Sequence, residues 1–227
     1  MLSEDRIQIL CYGDSNTWGC IGRKIKEDTP SKRFPEETRW PCVLQKNLGS
    51  DYHVIAEGLG GRTTIYSVVG EEWKNGKPYL LPCLKTHAPL DLVIIMLGTN
   101  DLQRSPDISF YRLGNGITQL IEVIQSTPDC GRNCIPPKIL VIAPIEVRRP
   151  MDDGRIDLYE RFHKELGTEL SQKFKEVYQD ICIKKGCHFL DASKYAIPCK
   201  EDGIHFTPES HINLGNAVAE YITQHIF

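Results

Sequence analysis

No stretch of this chain holds the ~18 uninterrupted apolar residues that a membrane-spanning helix requires. The opening Met1-Leu2-Ser3-Glu4-Asp5-Arg6 is polar and runs straight into a strand pattern, so no signal peptide and no membrane association are expected. An excess of positive charge is also missing. Lys+Arg number 27 against 30 Asp+Glu, a formal net charge of -3, whereas a nucleic-acid protein needs a basic face. The basic run Arg23, Lys24, Lys26, Lys32 and Arg33 is broken by Glu27 and Asp28 and followed by Glu36 and Glu37, and reads as a solvated loop. Neither GxGxxG nor a Walker lysine follows the glycines, which removes the phosphate-loop readings. The His-x-His and Gly-Asn-His-Asp/Glu segments of a metal-dependent phosphoesterase are absent, although Asp14, Asn100, Asp101 and His205 are all possible ligands. CxxC is absent as well: Cys130-x3-Cys134 and Cys182-x4-Cys187 are off the zinc spacing, so no metal is expected. The nine cysteines, odd in number and irregularly spaced, fit reduced cytoplasmic thiols better than a disulfide framework. There is no repeat, low-complexity tract or linker, and a single domain over residues 1–227 is expected.

What is present is an alternation of short apolar runs with longer amphipathic stretches, the pattern of a parallel sheet covered on both faces. Ile7–Tyr12, Tyr52–Ala56, Leu90–Leu97, Ile139–Ala143 and His188–Leu190 read as strands. Pro41–Leu48, Leu80–Thr86, Ile108–Gln125, Ile156–Lys185 and Pro208–Ile226 read as helices, the last with Thr207 as N-cap and Pro208 at its first position. Cys20–Arg39 and Tyr66–Pro82 break the alternation, with Pro30 and Pro35 in one and Gly70, Gly76, Pro78 and Pro82 in the other. Connections in such folds usually run about 2–6 residues, so both read as functional lids, interface arms or disordered insertions. Their apolar residues Ile21, Phe34, Trp40, Val68, Val69, Trp73 and Tyr79 are many to leave in water, and a homo-oligomer is expected in which they pack on a neighbouring copy.

Four separated segments each supply one part of an acyl-transfer site. Gly13-Asp14-Ser15 ends a strand, so Ser15 falls at the carboxyl end of the sheet with its own amide at a helix N-terminus. Gly60-Gly61-Arg62-Thr63 offers the Gly61 amide without a side chain in its way. Gly98-Thr99-Asn100-Asp101 ends the clearest strand and presents Asn100, a neutral donor suited to an oxyanion. Asp202-Gly203-Ile204-His205 precedes the last helix, and its spacing lets Asp202 hold one imidazole nitrogen while the other takes a proton from Ser15. The remaining histidines, His53, His87, His163, His188, His211 and His225, lack such a partner near a strand end and read as structural or exposed. Trp18, Cys20, Arg62, Tyr66, Trp73 and Ile204 are the expected pocket residues.

In these segments the chain resembles the SGNH hydrolases of the GDSL esterase/lipase superfamily, from Ile7 to the last helix. The residues in the family's name fall on Ser15, Gly61, Asn100 and His205, with Asp202 in the triad position. Gly13-Asp14-Ser15-Asn16-Thr17-Trp18-Gly19, Arg62-Thr63-Thr64 and Leu90–Asp101 are similar to the arylesterase/perhydrolase-like branch. Residue 16 is Asn where the GDSL motif has leucine, and Ala56-Glu57 stands where many relatives begin the second block with asparagine. The resemblance implies a three-layer α/β/α flavodoxin-like fold, here with a central five-stranded parallel sheet. It also implies no cofactor, hydrolysis of short-chain acyl or acetyl esters through an acyl-enzyme, and oligomers. Acyl transfer to alcohols or peroxide, and deacetylation of sugars, are the neighbouring activities it implies.

Overall fold

The strands that the sequence delimits pair into one five-stranded, all-parallel sheet of order β2-β1-β3-β4-β5. They are β1 (Ile7–Gly13), β2 (Tyr52–Gly58), β3 (Leu92–Met96), β4 (Lys138–Ala143) and β5 (His188–Asp191) in the computed structural model. That model describes residues 6–24, 31–67, 69–103 and 109–227. The chain leaves β1 to one side for β2 and then crosses to β3 on the other, so the order reverses at β1, as in flavodoxin-like sheets.

Strand periodicity sorts the core into two layers. Leu10, Tyr12, Val93, Ile95 and Val141 face α3 (Gly76–His87), α4 (Phe110–Gln125) and α7 (Phe174–Lys185). Ile9, Cys11, Leu92, Ile94, Leu140 and Ile142 face α2 (Trp40–Leu48) and α8 (Pro208–His225). All five residues of β3 are buried, which is why it reads as an unbroken apolar run. Thr207 caps α8 by accepting from Ser210 N–H at 3.1 Å, with Pro208 in the first turn.

The structure differs from the sequence reading in three stretches. Tyr66–Pro82 is not one long loop, because α3 begins at Gly76 with the Asn75 side chain capping Lys77 N–H. Pro82 sits inside this helix on the solvent side. Burial of Leu80, Cys83 and Leu84 outweighs the hydrogen bond that the proline forgoes. Ile156–Lys185 is not one helix but α5 (Ile156–Arg161), α6 (Lys164–Ser171) and α7. The first break is a left-handed turn at His163 and Lys164, with φ of 63° and 54°. Cys20–Arg39, described outside 25–30, folds back on itself through a Cys20–Arg33 bridge, and its Phe34 packs edge-on against His211. Phe34 and the fully buried Trp40 therefore belong to their own subunit, while Val69, Trp73 and Tyr79 stay exposed. Val68 and the predicted helix start at Ile108 lie outside the described residues.

Candidate active site

β1 and β3 both deliver chain to the carboxyl edge where the strand order reverses. At the end of β1, Asp14 caps a single helical turn, α1 (Ser15–Trp18), by accepting from Asn16 N–H at 2.9 Å. This turn lies directly on the end of β2: a Cβ on Gly58 would stand 2.1 Å from Trp18 N, so only glycine fits there. Asp14 is buried, and burial first of all pushes its carboxyl up to about 6.

The Asp202–His205 segment is a tight loop whose carboxylate is spent on its own backbone. Asp202 Oδ1 accepts from the Ile204 and His205 amides, both at 3.0 Å, and from the Cys199 thiol at 3.2 Å. Oδ2 is left for His205 Nδ1 at 2.7 Å, and His205 Nε2 lies 3.0 Å from Ser15 Oγ. A Ser–His–Asp chain of hydrogen bonds is thereby complete. Burial opposes charge on His205, but the Asp202 charge and hydrogen bond outweigh it and hold the imidazole well above its ordinary value. Burial likewise opposes charge on Asp202, and His205 with the two amides overcomes it and holds the carboxyl well below its ordinary value. The Cys20 thiol reaches the same imidazole.

Beyond β2 the chain closes a turn by donating Arg62 N–H to Leu59 O at 3.1 Å, with Gly61 in the left-handed region at φ 76°. Beyond β3, Asn100 Nδ2 donates to Arg62 O at 3.1 Å and, at 3.4 Å, to Asp14 Oδ2, while its Oδ1 accepts from Gln103 at 2.7 Å. The glycine loop and the β3 end are also tied by Thr64, which donates its amide and hydroxyl to Asp101 at 2.8 and 2.6 Å.

Ser15, Gly61, Asn100 and His205 line one cavity of about 570 Å³. Of the expected pocket residues, Trp18, Cys20, Trp73 and Ile204 line it too. Arg62 does not. It is 3% exposed, its guanidinium lies 4.2 Å over the Tyr12 ring, and it donates to Gly13 O at 2.8 Å and to Glu57 O. It braces the ends of β1 and β2 beneath the nucleophile turn, sharing Gly13 O with the Leu59 amide, which donates to it at 3.1 Å. Tyr66 is also elsewhere, donating to Arg112 O at 3.0 Å. Sequence reasoning misses Leu158, Arg161 and Phe162, which reach the cavity because the helical stretch breaks at His163. It also gives no role to Asn16, whose signal in the sequence is the departure from the motif's leucine and which the structure buries beside the serine.

An all-parallel three-layer sheet with this constellation at its switch point is the arrangement of a carboxylic-ester hydrolase. The chain belongs to the GDSL-like Lipase/Acylhydrolase family, whose model matches residues 11–211. Among solved structures it is similar to the carbohydrate acetylesterase Est24 of Sinorhizobium meliloti, with 35% identity, TM-score 0.87, and 96% of this chain and 99% of that one covered. It is similar to the native aryl esterase of M. smegmatis at 34% identity and TM-score 0.86, covering 96% and 98% of the two chains. A lipolytic G-D-S-L family protein of Veillonella parvula shares the fold at 12% identity and TM-score 0.67, covering 96% and 99%. No curated protein matches the chain by sequence.

Proposed function

We propose that the protein is a serine esterase of short-chain acyl or acetyl esters, with Ser15 as nucleophile, His205 as general base and Asp202 as its orienting partner. The observation that carries this reading is His205 bridging Ser15 Oγ and Asp202 Oδ2 at 3.0 and 2.7 Å. Ser15 attacks the ester carbonyl as His205 Nε2 takes its proton, and Asp202 stabilises the imidazolium. The oxyanion of the tetrahedral intermediate is held by the Ser15 and Gly61 amides and by Asn100, which exchanges its long contact to Asp14 for the substrate. His205 then protonates the leaving alcohol, and water, or peroxide as a perhydrolase acceptor, attacks the acyl-enzyme by the same route.

The lining of the cavity supports short acyl groups as substrates. Leu158, Phe162 and Ile204 give it an apolar wall, and the described residues provide no extended apolar lid for a long chain. A second reading, a carbohydrate O-deacetylase, is favoured by Trp18 and Trp73 with Lys74, Gln103 and Arg161 around the same cavity, an aromatic and polar rim suited to a sugar. The similarity to a carbohydrate acetylesterase agrees with it. A chain-length series of nitrophenyl esters run beside acetylated sugars tests both. Steeply falling turnover beyond short acyl chains supports the first reading. Faster deacetylation of sugars than of nitrophenyl acetate selects the second, and no turnover on either sinks both.

We further propose a homo-oligomer and a cytoplasmic location. Val69, 98% exposed, and Trp73, 58% exposed, are the surface residues that a second copy would cover. The nine unpaired thiols suit a reducing compartment. No helix among the described residues is long and apolar enough to cross a membrane. Light scattering that shows a single 25.8 kDa species at micromolar concentration would overturn the oligomer.

A further inference from the structure

One cluster of ligand-type side chains among the described residues stands apart from the proposed catalytic chain. Glu57, Cys83 and His87 each point one ligand atom into a common space, and these atoms lie within 4.8 Å of one another. Cys83 and His87 are four residues apart on α3 and so share a face one turn apart. Glu57 reaches them from the end of β2, in register with Tyr12. Its carboxylate already meets His87 Nε2 at 3.0 Å. This corrects the expectation that no histidine besides His205 has a carboxylate partner at a strand end.

We propose that Glu57, Cys83 and His87 bind a divalent zinc-class ion that fastens α3 to the end of β2. The donor set is the first argument. One thiolate, one imidazole and one carboxylate make a mixed S/N/O set that suits zinc and disfavours magnesium or calcium, which take oxygen ligands. Geometry is the second. Zinc bonds of about 2.0–2.3 Å in a tetrahedron place ligand atoms roughly 3.3–3.8 Å apart, so side-chain rotation alone closes the cluster on an ion. Access is the third. The thiol belongs to a residue only 1% exposed, whereas the Glu57 and His87 side chains are 23% and 25% exposed, so an ion enters from solvent and settles over Cys83 with water as fourth ligand.

Proton balance is simple. Burial first, then the Glu57 charge, pushes the Cys83 thiol up to about 12, so without metal it holds its proton. Binding as thiolate releases that proton to solvent, and the imidazole carries its remaining proton on Nδ1 while Nε2 ligates. The ion takes no part in ester chemistry. Its effect is on the scaffold: Glu57 O accepts from the same Arg62 guanidinium that holds Gly13 O, so the ion stiffens the strand end that carries the glycine loop.

The test uses the full chain stripped with a chelator, dialysed, and titrated with Co²⁺ as a spectroscopic probe. The parent develops a thiolate-to-cobalt charge-transfer band with intense tetrahedral visible bands, saturates at one ion per chain, and loses both when Zn²⁺ is added. Zn²⁺ also raises its Tm. Cys83→Ser abolishes the charge-transfer band, His87→Gln weakens the affinity at least about tenfold, and Cys134→Ser, at an exposed thiol, behaves as the parent. Circular dichroism reports folding. If Cys83→Ser does not fold, His87→Gln and Glu57→Gln decide by affinity. No charge-transfer band in the parent, a band that survives in Cys83→Ser, or parental affinity in His87→Gln overturns the proposal.

Discussion

Asn16 clamps the backbone on both sides of His205. Its Oδ1 accepts from Phe206 N–H at 2.9 Å and its Nδ2 donates to Ile204 O at 3.2 Å. Since Asn16 directly follows Ser15, one buried amide fixes the loop bearing the proposed base to the turn bearing the proposed nucleophile. Leucine, the residue of the GDSL motif at this position, makes neither bond.

Asn16→Leu is therefore expected to leave Ile204 O and Phe206 N–H buried without partners, costing about 1–3 kcal/mol of stability. Turnover should fall because the Ser15–His205 distance loosens, and KM should change less, since of the two freed backbone partners only Ile204 lines the cavity. Urea unfolding and steady-state kinetics on one preparation check this; parental values in both would remove Asn16 from the site's support.

Ser15→Ala should lose up to ~10⁶-fold in turnover and fold normally, as in other triads. The cap on α1 comes from Asp14 and is untouched. Near-parental turnover in the purified variant would displace Ser15 as nucleophile.

Asn100→Ala should cost roughly 10²–10³-fold in turnover with little change in KM, the signature of a lost oxyanion donor. The side chain also donates to Arg62 O, so thermal unfolding is measured in parallel to separate scaffold from chemistry. A rise in KM alone would make Asn100 a substrate contact.

Only neutral imidazole can act as base, so activity should rise with pH. Because Asp202 raises His205, the midpoint should lie above the ordinary histidine value of about 6.5. The sign for stability is opposite. The His205–Asp202 attraction contributes fully below the unfolded histidine value and is lost as pH rises through the raised one. Asp202→Asn should drop turnover by about 10⁴-fold and pull the midpoint down. A midpoint that stays put would mean the carboxylate does not set it.

His211 is fully buried between the Phe34 and Phe206 rings, and neither ring nitrogen has a hydrogen-bond partner among the described residues. Burial, and then His205, pushes it down to about 3. Between about 6.5 and about 3 the unfolded chain binds a proton that the native chain refuses, so its contribution is complete above 6.5 and falls with pH by about 1.4 kcal/mol per unit. Comparing His211→Leu with the parent isolates this group from Asp14 and Asp101, whose raised values act with the opposite sign. The difference should shift toward the variant as pH falls; a constant difference from pH 7 to pH 4 would show that His211 charges in place.

By itself the sequence determined the features that depend on neighbours along the chain. The parallel sheet is readable because strands buried on both faces must be unbroken apolar runs, as in Leu92–Met96. Gly13-Asp14-Ser15 and Asp202–His205 are readable because each lies where a strand or loop meets a helix, and a turn that short leaves its side chains few places to go. Thr207-Pro208 marks the start of α8 for the same local reason.

Tertiary structure decided whatever depends on packing between distant segments. Pro82 reads as a breaker, yet α3 carries it because the opposite face buries Leu80 and Leu84. Arg62 reads as a pocket cation, yet two strand-end carbonyls and the Tyr12 ring draw it inward. The break at His163 that turns Phe162 toward Ser15 has no local breaker to announce it. Cys83 and His87 look idle until β2 brings Glu57 against them. In each case the deciding partner lies more than a turn away in sequence, and the burial or hydrogen bond that fixes the residue exists only once the sheet has assembled.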